Sequence, residues 1–226
     1  LAMVADASDP EASTRLCQAC VAVLPVARAA IVLRSDADGL ELMCASDDVA
    51  ARVEAVQATV GVGPAVDAIT SCGPVLVPDL AATGFARWPA LIGTLDSDSP
   101  CAMFAFPLQV GAIRLGALDL YRDIPQPPSS LDLATMALVA QVVTMTLLGG
   151  PTGRDEPGDP WWKQSADSQV IHQATGMVVA QLDVPAREAY VRLQGHAFAD
   201  GKLLAEVAED VVARRLRLPS NGHHDR

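Results

Sequence analysis

Hydrophobic positions change their spacing along the chain, and the changes divide it. Across residues 170–212 the apolar side chains recur in steps of three and four, in three short runs. The first has Val170, Ala174 and Met177 on one side with Ile171, Val178 and Leu182 beside them. The second has Ala186, Ala189, Tyr190, Leu193 and Ala197, and the third Leu204, Val207, Ala208, Val211 and Val212. Val184-Pro185 and Asp200-Gly201 separate them. Helices this short are marginal alone in water, so the three must bury their stripes against one another.

The residues before them alternate between strand and helix spacing. Asp9 and Pro10 open a helix in which Leu16, Cys20, Val23 and Leu24 share a stripe, and Pro25 ends it. Residues 27–33 and 40–45 are strands joined by the polar turn 35–39. Asp47 or Asp48 opens a helix to about Ala58, and Pro64 opens a shorter one. Residues 74–80 form an edge strand between prolines. Residues 85–95 predict one short helix, and 101–108 with 113–121 a second hairpin. Ser129, with Asp132 three residues on, caps a long helix. That helix carries two apolar stripes. One is Leu131, Ala134, Leu138, Val142 and Met145; the other is Leu133, Ala137, Ala140 and Leu147. One stripe can lie on a sheet and leave the other as a subunit interface. Gly149-Gly150-Pro151 stops the helix, and the Gly-, Pro- and acid-rich linker that follows is expected to be flexible. Trp161-Trp162 then reads as a packing anchor, with base stacking as the sharper alternative.

Composition narrows the function. Hydrophobic residues make up 50% of the chain, enough for two ordinary cores in 226 residues. The start of the chain lacks the basic flank of a secretory signal, and the apolar stretch 136–148 is too short to span a bilayer, so a cytoplasmic protein with no membrane partner is expected. The net charge of −11 argues against a simple polyanion-binding surface. The acidic excess lies before Lys163, however, and residues 163–226 hold as many Lys and Arg as Asp and Glu. An RNA contact there would be specific to loops and modest in salt dependence.

Five cysteines without a paired framework fit a reducing compartment. Cys17 and Cys20 read as small buried side chains, with a redox role as the alternative. No metal site is expected. Gly61-Val62-Gly63 lacks the rest of a phosphate-binding motif, and the four histidines all lie in the C-terminal part, so no catalytic residues are expected. Asp79 and Asp119 could line a pocket, but turn capping or solvation explains each more simply.

Two family resemblances follow from particular stretches. Gln173-Ala174-Thr175-Gly176, then Ala189 with Leu193 and Ala197, then Leu204 with Val207-Ala208, resemble the ANTAR domain over 167–216. Many members carry a lysine where this chain has Thr175. The stretches GVGPAVDAI, GPVLVPDL, RWPAL and FAFPLQVGAIRLGALDLYR resemble GAF domains over 8–148.

The resemblances imply an α+β chain with four parts. Residues 8–148 would form a GAF-like sensor with an antiparallel sheet and flanking helices, 149–160 a linker, 161–218 a three-helix ANTAR-like unit, and 219–226 a disordered tail. They imply a homodimeric antitermination regulator that binds paired stem-loops in mRNA leaders, with an unknown small-molecule ligand in the sensor and no cofactor. RNA contacts are expected from Gln173, Thr175, Arg192, His196, Lys202, Arg214 and Arg215. Arg214 and Arg215 serve equally well as partners of a helix C-terminus. The alternative is a ligand- or redox-responsive protein-binding adaptor.

Overall fold

The computed structural model describes residues 12–35, 37, 39–149 and 165–219. The expected Asp9-Pro10 cap, nearly all of the linker, Trp161-Trp162 and residues 220–226 lie outside the described residues. The N-terminal unit runs α1 (Ala12–Val23), β1 (Arg28–Arg34), β2 (Leu40–Ala45), α2 (Asp48–Val60), α3 (Pro64–Ser71), β3 (Val75–Val77), α4 (Leu80–Arg87), α5 (Pro89–Thr94), β4 (Ala102–Val110), β5 (Ile113–Arg122) and α6 (Ser130–Gly149). The strands form one antiparallel sheet in the order β2-β1-β5-β4-β3, with the proline-bounded β3 at an edge. The single helix expected over 85–95 is instead the end of α4 and all of α5. Pro89 has no N–H with which to continue α4, so the chain breaks at Trp88 and restarts.

Alternation along the strands sends side chains to two helical layers. Ala29, Ile31, Phe104, Phe106, Leu118 and Leu120 meet α1 and α6. Ala30, Met103, Ala105 and Tyr121 meet α2, α3, α4 and α5. At Gly116 an added Cβ would overlap the carbonyl oxygen of Val32, so β1 and β5 can close only around a glycine. Cys17 of α1 is joined to Cys44 of β2 by a disulfide. This corrects the expectation that Cys17 is merely a small buried thiol. Its partner is 27 residues away and meets it only because α1 lies on the sheet beside β2. Cys20 is free and buried, and burial pushes its thiol up to about 11.

Helix α6 is fastened at its start. Ser129 and Asp132 cap each other's backbone, and Arg122 donates to Asp132 at 2.9 Å. Met136, Ala140, Val143 and Leu147 lie on the sheet; of the expected second stripe only Ala140 and Leu147 are buried, and Ala137 is exposed. Leu131, Ala134, Leu138, Val142 and Met145 face outward. The helix runs for 20 residues with a mean hydropathy of 1.8, long and apolar enough to cross a membrane. The shorter stretch 136–148 therefore underestimates it, because helical periodicity carries on through Ser130–Thr135. Its buried stripe nonetheless makes it part of the sheet's α1 side.

The C-terminal unit is three helices, α7 (Ala166–Leu182), α8 (Ala186–Asp200) and α9 (Leu204–Val212). Ser165 caps α7, while Asp183 and Gly201 end α7 and α8 in left-handed geometry. Ala174, Val178, Ala189, Leu193, Ala197, Val207 and Val211 make its core, as the three stripes require.

Candidate nucleic-acid interface

The expected RNA residues divide by environment. Gln173 is exposed on α7. Thr175 is not: it is 7% exposed, and its hydroxyl donates to the carbonyl of Ile171 at 2.7 Å. It is a packing residue as it stands, because position 175 falls beside Ala174 and Val178 on the core side. Arg192 donates to Glu188 at 2.6 Å, and His196 lies 3.4 Å from Asp200. Asp210 gathers two cations, Lys202 at 2.9 Å and Arg215 at 2.8 Å. The hydrogen bond from Lys202 holds the Asp210 carboxyl below its ordinary range, and Asp210 raises Lys202 in return. Arg214 is exposed in the turn that ends α9. Arg192, His196, Lys202 and Arg215 thus each sit beside a carboxylate, and a polyanion would have to displace those partners.

The opposite side of α8 faces the sheet unit. Helical spacing puts Tyr190 and Gln194 on one side and Arg192 and His196 on the other. Gln194 donates to the carbonyl of Ala58 at 2.6 Å, and the Leu204 N–H donates to the Thr59 hydroxyl at 2.9 Å. The Tyr190 ring lies against Gly39, where an added Cβ would strike it. His172 meets Glu41 at 2.8 Å, and Leu203 packs into the core beneath α2. A cavity of about 260 Å³ remains between the units, walled by Leu40, Leu42, Ala58, Ile171 and Leu204 and reaching Glu54. The contact leaves Gln173, Arg192, His196 and Lys202 outside it.

Beneath α2 the sequence hid a polar cluster. Glu54, Gln57, Asp119 and Tyr121 are all buried between α2 and the sheet. Tyr121 donates to Glu54, Gln57 donates to Glu54 at 2.8 Å, and the Ala65 N–H donates to Gln57 at 3.1 Å. No N–H or O–H among the described residues reaches either oxygen of Asp119. Both oxygens are buried in the same cluster as the Glu54 carboxyl, without a partner among the described residues, and two buried carboxyls that face each other can hydrogen-bond only if one holds a proton. Burial pushes both carboxyls up, and the charge on Glu54 pushes Asp119 further. Solvation therefore does not explain Asp119, whereas Asp79 is a helix cap as expected, accepting from Ala82 N–H at 2.9 Å. Two signals pointed to the cluster. Asp119 shares the inward side of β5 with Ala117 and Tyr121, and Glu54 follows Ala50 by one helical turn on the buried stripe of α2.

The comparisons agree with this division. The GAF domain model matches residues 10–147 and the ANTAR domain model residues 163–212. No curated protein matches the chain. Among solved structures it is similar to the GAF domain from a phosphoenolpyruvate-protein phosphotransferase of Coxiella burnetii. The identity is 14% over 62% of this chain and 82% of that one, with a TM-score of 0.48. It is also similar to the second GAF domain of DevS from Mycobacterium smegmatis, at 16% identity over 61% and 92% with a TM-score of 0.45. A third is the type II free methionine-R-sulfoxide reductase from Thermoplasma acidophilum, at 14% over 60% and 89% with a TM-score of 0.45. GAF domains are sensor units and ANTAR domains are RNA-binding units of antiterminators, a regulatory pairing. The model match over most of its length places the chain in the GAF family, with an ANTAR domain following the GAF domain.

Proposed function

We propose that the chain is an RNA-binding antitermination regulator whose GAF domain controls recognition of paired mRNA stem-loops by the ANTAR helices. The observation that carries this is the two-sidedness of the ANTAR unit. Gln173, Arg192, His196 and Lys202 face away from the sensor, while Tyr190, Gln194 and Leu204 hold the unit to it. Loop bases need hydrogen-bonding side chains and a few phosphate partners, which this outward side supplies without a basic groove. The sensor does not cover these residues, so control by steric masking is disfavoured. Control would come from the placement of two ANTAR units relative to each other. Paired loops call for paired units, and the outward stripe of α6, from Leu131 to Met145, supports a homodimer.

One titration tests the reading, with a dual stem-loop RNA and a loop-substituted control at two salt concentrations. Loop-dependent binding by two chains per RNA, weakened about tenfold in Arg192→Ala, is the expected result, the loss of one charge-assisted contact. Equal binding to both RNAs would favour the adaptor reading. The carboxylates beside Arg192, His196, Lys202 and Arg215 already point that way.

A further inference from the structure

We propose that the buried Asp119–Glu54 pair is a proton-operated link between sensor and ANTAR unit: while the pair shares a proton, α2 stays seated and holds α8 and α9, and loss of that proton releases them.

The geometry brings two jobs onto one helix. The inner side of α2 supplies Glu54 and Gln57 to the cluster, and its last turn supplies the Ala58 carbonyl and Thr59 hydroxyl that hold Gln194 and Leu204. Thr59 also donates to Ala55 at 2.7 Å, so the turn that grips α9 is tied to the turn that carries Glu54. An isolated carboxylate this deep is costly, and two facing each other more so. The step is simple. A carboxyl O–H in the pair breaks, its proton passes to water, and the pair goes from one negative charge to two. Among the described residues no cation sits in the cluster: Arg52, which lines the cavity reaching Glu54 together with Asp48 and Glu41, is turned to Asp96. Tyr121 is the other titrating group in the cluster, and burial pushes its phenol far above neutrality.

The surrounding charged groups are engaged elsewhere. From β1, Arg28 pairs with Asp47 and Asp123. From α2, Arg52 pairs with Asp96. From α3, Asp67 accepts from Trp88 and pairs with Arg87. Repulsion would therefore be relieved by lifting α2 and admitting water, and the contacts at Ala58 and Thr59 move with it. His172 and Glu41 form a further contact between the units, 2.8 Å apart at the surface.

Hydrogen exchange of the full chain, read by mass spectrometry from pH 5.5 to 8.5 and corrected for intrinsic rates, tests the link. His172→Asn is the background, so that the surface pair cannot supply the response. Protection at the end of α2 and the starts of α8 and α9 should fall about tenfold across that range, the population change of one pKa unit. In Asp119→Asn, which keeps the shape but cannot lose the proton, protection should be level with pH. Glu54→Gln provides the same comparison if Asp119→Asn does not fold. Protection that is level in the background protein, or a fall that survives both substitutions, would overturn the proposal. No RNA enters the measurement, so it fails or stands apart from the proposed RNA function.

Discussion

The two sides of the GAF sheet are built from the same strands and differ in kind. Toward α1 and α6 the core is apolar, from Leu16 through Phe104 to Leu147, and a disulfide crosses it. Toward α2 the same strands deliver Asp119 and Tyr121 to a buried Glu54. The first side maximises burial and would resist change. The second carries charge at a cost in stability, and it is the side that touches the ANTAR helices. A buried carboxyl pair is poor evidence for stability, since apolar residues of similar volume often serve as well or better.

Removing the disulfide should give the largest effect. Cys17→Ser frees a loop of 27 residues and should cost about 3 kcal/mol. Thermal unfolding without reductant should show the variant melting well below the parent, and reductant should bring the parent down to the variant. Identical melting without reductant would mean that α1 is held by packing alone. The pH response of the α2 side should survive this substitution, since the two sides share only the sheet.

The α2 side should show itself in the pH dependence of stability. Burial pushes the Glu54 carboxyl from 4.5 up to about 7, and Asp119 rises too. Between pH 4.5 and 7 the folded chain therefore holds protons that the unfolded chain has released. Stability is greatest at the acid end and falls as pH rises through this window, by up to about 1.4 kcal/mol per pH unit for each proton held. Asp119→Asn should flatten the fall in chemical denaturation at pH 5, 6 and 7. A parent protein whose stability instead rises across the window would show that the pair is ionised in the fold.

How much of this was legible in the sequence depended on the range of the interaction. The second hairpin, the Ser129–Asp132 cap, the outward stripe of α6 and the three ANTAR stripes are all set by neighbours within a few residues, and all appear as expected. The break at Trp88 is carried locally by Pro89, yet the single helix expected over 85–95 runs through it. Cys17 with Cys44 and Glu54 with Asp119 were not legible, because each pair meets only after the sheet has formed. Thr175 shows a subtler limit. Its place in the Gln173–Gly176 motif suggested a contact, but its position on the helix turned it inward.

The smallest effect should fall on the contact between the units. Gly39 lies in the β1–β2 turn, where its N–H meets the Ser35 hydroxyl and its carbonyl accepts from the Ser35 N–H. The Tyr190 ring occupies the space a side chain there would take, and Tyr190 is only 4% exposed. Gly39→Ala should leave the sheet intact and push the ring off its rotamer, at about 1 kcal/mol. The docked population would then fall roughly fivefold, read as lost exchange protection along α8 with unchanged protection in β4 and β5. A double variant with Tyr190→Ala isolates the cause. If the clash carries the effect, Gly39→Ala should add nothing once the ring is gone. Additive losses would instead place the defect in the turn itself, and the ring against Gly39 would then not be what aligns α8 with the sensor.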